Sequence, residues 1–175
     1  MFCAPYGALV LGALALEIIL KIILKILFRI FRPTTMDAIK EYNARLEPLR
    51  IIAGVAMQVH AKYHPGLLES AYEAAMEYLL KKAGRKVERQ KELSIFWDNV
   101  RLNQTYRLDL VVDGVIVELK AVEHTTEANV RQLWHYMNIT HTEYGMLINF
   151  GSQHLYSAWY RRDPVTGYIE KVKLL

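Results

Sequence analysis

The spacing of hydrophobic positions changes several times along this chain, and each change marks an element. From residue 6 to 31 apolar side chains are nearly continuous. Residues 7–16 carry no charge, and then Glu17, Lys21, Lys25 and Arg29 recur every fourth position. On a helix these four form a polar stripe, with Ile, Leu and Phe over the remaining surface. Pro33-Thr34-Thr35 reads as a break. Helical spacing resumes around Leu46 and runs through Ile52, Val55, Ala56, Val59 and His60. Pro65-Gly66 separates it from a second helix over about 67–82, with Gly84 just past its end. The period then falls to two. Residues 87–97 place Leu93, Ile95 and Trp97 on one side and Ser94 and Phe96 on the other. Further strands are expected over 104–112 and 115–121. Thr125 and Thr126 are candidate N-caps for a helix through about Asn138. A buried strand over 144–150 ends at Gly151, and a last strand covers 155–161.

Asp113-Gly114, between two apolar runs, suits a two-residue type I′ hairpin turn. A turn closing directly there sets Val112 opposite Val115 and, counting outward, Asp109 opposite Glu118. Lys120 shares a face with Glu118, while Val115, Val117 and Leu119 point the other way. Two opposed carboxylates repel unless something offsets their charge. A divalent cation would do so, with Asp109 and Glu118 supplying oxygen ligands of the kind magnesium prefers. Lys120 could hold or help deprotonate a water and stabilise charge on a transferring phosphoryl group. The set suits phosphodiester hydrolysis. The same spacing also fits a surface hairpin with an ordinary Glu–Lys neighbour pair.

Three further motifs carry a family resemblance. Gly66-Leu67-Leu68-Glu69-Ser70-Ala71-Tyr72 reads GxxExxY, Glu118-Leu119-Lys120 reads ExK, and Gln132 and Tyr136 stand as QxxxY. In this order they resemble the GxxExxY family of the PD-(D/E)XK nuclease superfamily, over roughly residues 46–162. Leu108 stands where the superfamily usually has a proline before its Asp. The resemblance implies an α/β (α+β), restriction-endonuclease-like core: a mixed central sheet flanked by helices, ordered helix, three strands, helix, strand. It implies Asp109, Glu118 and Lys120 as the signature residues, with Glu69 reaching the metal directly or through water. It also implies a role for Gln132 in orienting the attacking water or a phosphate, and for Tyr136 in bonding the substrate backbone. Gln90 is a candidate substrate contact at the cleft. Glu73 lies one turn after Glu69, and Tyr72 is expected to pack and orient. The expected ion is Mg2+, with Mn2+ as an alternative. The expected partner is nucleic acid, DNA first and RNA second.

Composition narrows the remaining choices. Apolar residues make up 53% of 175, which excludes broad disorder. The sole cysteine, Cys3, excludes an intrachain disulfide and a thiolate metal cluster. The net charge of +4 is concentrated before residue 36, where Glu17 faces Lys21, Lys25, Arg29 and Arg32. The remainder is near neutral, so a uniformly basic nucleic-acid-binding body is not expected and any binding groove is local. Local candidates are Arg85, Lys86, Arg89, Lys91, Arg161 and Arg162. His60 and His64 have i,i+4 spacing, but Pro65 follows at once and no cysteine joins them, so zinc is not expected.

The reading divides the chain into a hydrophobic N-terminal helix over 1–35, a possible membrane anchor through residues 6–31, and a nuclease-like domain over 36–175. The basic residues just before the domain favour its placement on the cytoplasmic side. A helix packed on the domain or on a partner is the alternative, as is a segment missing from the functional product. A catalytically inactive module that keeps the fold, binding nucleic acid or protein, is the alternative to an enzyme.

Overall fold

The computed structural model describes residues 19–23, 25 and 36–172. Residues 19–23 and 25 are helical, and the rest of the expected helix over 6–31 lies outside the described residues. Among the described residues no helix is long and apolar enough to cross a membrane. The chain divides into two compact units, Met1–Asn43 and Ala44–Leu175.

The larger unit carries the sheet. Helix α1 spans Met36–Tyr63 and α2 spans Glu69–Lys82. Strands β1 (Val87–Trp97), β2 (Val100–Val112) and β3 (Val115–Lys120) follow, then α3 (Glu127–Thr140) and strands β4 (Tyr144–Asn149), β5 (Tyr156–Arg162) and β6 (Ile169–Lys171). The six strands lie in chain order in one sheet. All pairs are antiparallel except β3 and β4, which run parallel and are joined through α3. This is the mixed sheet flanked by helices that the sequence implied. It differs in detail: α1 begins ten residues before Leu46 and continues through Pro48, and β6 was not anticipated.

The alternation of side chains builds two cores. Leu110, Val112, Val115, Val117 and Leu119 bury against Leu49, Ile52, Val59, Tyr72, Met76 and Leu80 from α1 and α2. On the other face Ile116 and Leu147 meet Leu133, Tyr136 and Met137 of α3. The hairpin closes as the sequence predicts. Val112 pairs with Val115, and Asp113 and Gly114 have φ of 49° and 85°, the positive values a type I′ turn needs.

The exit from β3 is held by a buried side chain that sequence reading passed over. Asn149, at the end of β4 and 1% exposed, accepts from Val122 N and Gly151 N, both at 3.0 Å, and donates to Val122 O at 2.7 Å. Gly151 fits here because it has no side chain. A Cβ would lie 2.4 Å from both Val122 N and Val122 O, atoms of backbone that Asn149 holds in place. Gly151→Ala is therefore expected to cost about 3 kcal/mol of stability by overpacking. Urea unfolding would measure this, and a variant within about 0.5 kcal/mol of wild type would contradict the crowding.

Candidate active site

The GxxExxY segment is a device for placing Glu69. Gly66 has φ of +122°, a region that L side chains rarely adopt, so the chain can turn sharply before α2. Tyr72 is fully buried and stacks on Phe150, centroids 4.4 Å apart and planes 7° off parallel. Its hydroxyl donates to His64 O at 2.5 Å and accepts from Leu67 N at 3.2 Å. The tyrosine thus ties the loop down, and Glu69 becomes the first residue of α2. Phe150 in turn donates its backbone N–H to Lys120 O at 2.7 Å, which joins this helix start to the end of β3.

Asp109 sits where the sheet changes its pattern. The β2–β3 ladder runs from Val112, opposite Val115, to Leu110, opposite Val117. At the next level the Asp109 side chain, rather than a backbone carbonyl, accepts the N–H of Leu119 at 2.8 Å. Face alternation also breaks here: Leu110 and Val112 belong to one core, whereas Leu108 belongs to the other. The strands part at the position of the signature acid.

Glu69, Glu73 and Asp109 each present a carboxylate oxygen within 4.8 Å of the other two. Glu73 is 4% exposed. Its Oε2 accepts from Arg89 Nε and Gln90 Nε2, both at 2.9 Å, and Arg89 also donates to Ser70 O at 3.1 Å. Gln90, a candidate substrate contact, is exposed at φ 50° and donates to this acid. Glu118 is 1% exposed. Its Oε1 accepts from Lys120 Nζ at 2.5 Å, while Oε2 is buried without a hydrogen-bond partner. On α3, Gln132 Nε2 donates to the Tyr136 hydroxyl at 3.0 Å. Burial, and then the charges of Glu118 and Asp109, raise Tyr136 above the ordinary tyrosine value, against its bond from Gln132.

The electrostatics follow from crowding acids in a dry place. Burial, and then the charge of Glu118, push Asp109 up to about 7 from 3.8, against the Leu119 N–H and the Lys120 charge. Burial also raises Glu118, even with Lys120 bonded to it. Burial by itself would lower Lys120, but the hydrogen bond and charge of Glu118, with Glu69 and Asp109 adding, hold it above the ordinary lysine value. Lys120 is therefore an ammonium at neutral pH. In that form it can donate hydrogen bonds and stabilise negative charge.

These residues fit a hard divalent cation. Several carboxylates converge, one buried oxygen of Glu118 lacks a partner, and Asp109 resists ionising without a neighbouring positive charge. The donors are all oxygens, which suits Mg2+ or Mn2+ better than zinc. The histidines do other work. His60 bonds Ser152 O at 3.0 Å, and His135 packs edge-on against Tyr106.

The split hairpin thus sets Asp109 and the Glu118-Leu119-Lys120 segment close to the acids of α2. A family model of the PD-(D/E)XK nuclease superfamily matches residues 47–162. The chain belongs to that superfamily. Searches of curated proteins and of solved structures return no match. Membership suggests metal-dependent nuclease activity and a nucleic-acid substrate, and Glu69, Glu73 and Asp109 form an acidic group able to hold a metal.

Proposed function

We propose that this chain is a GxxExxY-type nuclease that hydrolyses phosphodiester bonds of nucleic acid, DNA in the first instance, with Mg2+. The observation that carries the reading is the convergence of carboxylate oxygens from Glu69, Glu73 and Asp109, supported by the unpartnered, buried Oε2 of Glu118. Asp109, Glu118 and Glu69 would hold the ion, with Glu73 as a further ligand. When bound, the ion supplies charge neutralisation and lowers the pKa of a water it binds. Lys120, fixed by Glu118, stabilises the charge that develops on the phosphoryl oxygens. Gln132 orients the water or a phosphate oxygen. Burial and the nearby acids raise Tyr136, so its hydroxyl keeps its proton and can donate to the substrate backbone.

The test is cleavage of single- and double-stranded DNA and RNA by the purified chain. Cleavage in Mg2+ or Mn2+ that stops with EDTA is expected. A metal-loaded protein that cleaves none of the four would overturn the catalytic reading in favour of a binding module.

The same reading assigns residues 6–31 to membrane contact, with the domain over 36–175 on the cytoplasmic side. The motivation is the long apolar surface with its basic stripe, of which Ile19, Leu20, Ile22 and Ile23 are exposed. The full chain is expected to float with anionic liposomes and a chain starting at Met36 to stay behind. Equal flotation of the two would count against an anchor.

A further inference from the structure

β2 is much longer than the hairpin that carries the site. It pairs with β3 only at Leu110, Val111 and Val112, whereas its pairing with β1 continues out to Val100 opposite Trp97. From Val100 to Thr105 every residue of β2 is exposed, so the two strands project as a ribbon whose tip lies about 30 Å from Asp109 at some 3.4 Å per residue. A two-stranded ribbon of this length is marginal by itself, and here only its base is packed, through Leu93, Tyr106 and Leu108.

The outer ribbon is chemically mixed. Phe96, Trp97 and Val100 are 58%, 72% and 65% exposed. Beyond an irregularity between Ser94 and Phe96, Trp97 lies opposite Val100, which puts these two side chains on one face at the tip. At the base of the ribbon the Tyr106 ring lies edge-on to Tyr136 at 5.9 Å, and Tyr136 bonds Gln132. The opposite face offers Arg101, across from Phe96, with Asn103 and Thr105 beyond it. Arg101 makes no ion pair among the described residues.

We propose that this ribbon is a nucleic-acid-binding arm, with Trp97 stacking on an unpaired base and Arg101 meeting the backbone. This deepens the nuclease reading above and rests on it, by giving its substrate a single-stranded portion. An aromatic tip interleaved with amides, a hydroxyl and a free guanidinium is the chemistry of base stacking with polar contacts. A lipid-inserting tip would not carry Asp98 in its turn. A purely apolar contact with a second copy would not need Arg101 and Asn103. The length of the ribbon places the stacked base on the order of 30 Å from the reacting phosphate, at about 3.4 Å per strand residue.

The experiment is anisotropy with the full chain in EDTA and a fluorescein-labelled forked DNA with single-stranded arms. Trp97→Ala is expected to weaken binding about tenfold or more, Trp97→Phe to retain most of it, and Arg101→Gln to reduce the salt dependence by about one counterion. A blunt duplex of the same sequence, with no single-stranded arms, should lose the Trp97 effect. Wild type failing to bind the fork, or Trp97→Ala binding it as tightly as wild type, would overturn the proposal. Loss of liposome flotation or of a dimer in Trp97→Ala, with fork binding intact, would assign the arm to lipid or to a second copy and overturn it too. Fork binding through Trp97 without any Mg2+-dependent cleavage would leave the arm standing and remove the catalytic reading. Cleavage that Trp97→Ala leaves unchanged in kcat and KM would do the reverse.

Discussion

Replacing Lys120 by methionine is expected to reduce metal-dependent cleavage about 100- to 1,000-fold while the chain stays folded. The size follows from removing one positioned charge donor from the reacting phosphoryl group. The fold should survive because methionine keeps most of the aliphatic stem, and because the carbonyl that receives Phe150 N–H belongs to the backbone. The loss should fall on kcat rather than KM, since the ammonium acts on charge that develops in the transition state. Glu118 loses its partner in the variant and the site loses a competing positive charge, so Mg2+ binding should be retained or strengthened. Single-turnover cleavage with saturating metal would separate these effects. A rate within about threefold of wild type would remove Lys120 from the chemistry.

Asp109→Asn is expected to remove most of the metal affinity and, in the metal-free protein, to cost no stability above neutral pH. Asp109 in the folded chain titrates at about 7 instead of 3.8. The native state therefore holds this proton more tightly than the unfolded chain does. The contribution is present at acid pH, falls as the pH rises from near 4 towards 7, and stays lost above 7. The metal-free wild type should lose stability across that window, and Asn, which has no charge to desolvate, should flatten the slope. A cation must displace the same proton, so its affinity should drop by about tenfold per pH unit below 7. Thermal melts near pH 6 and near pH 8, with and without Mg2+, test both halves. Metal should raise the wild-type melting temperature more at the higher pH and leave the variant nearly unmoved. Equal stabilisation of both proteins would place the ion elsewhere.

The sequence made the hairpin legible because its information is local. Asp113-Gly114 dictates the turn, the period of two dictates the faces, and Val112 does pair with Val115. The helix break before Glu69 was legible for the same reason, from Pro65-Gly66. What spacing could not reveal is held by contacts distant in sequence. Glu73 looked like one more helix acid until Arg89 and Gln90, from β1, were found on its carboxylate. Asn149 gave no signal because its partners, Val122 N and O, lie across the α3 crossover. The break in alternation at Leu108 depends on Asp109 replacing a ladder bond with its side chain, which no period can encode. β6 is three residues long, below what alternation can resolve. The protonation of Lys120 depends on the balance between burial and three acids from different elements, so its role narrows only once the fold is known.

The central claim is that the acids at the split hairpin hold one divalent cation. Anomalous diffraction from crystals of the full chain soaked with Mn2+ tests it most directly. The account predicts a manganese peak in ligand contact with Asp109 and with at least one of Glu69, Glu73 and Glu118, lost in Asp109→Asn. A peak bound to other residues, or no peak in crystals that leave this site open to solvent, would contradict it.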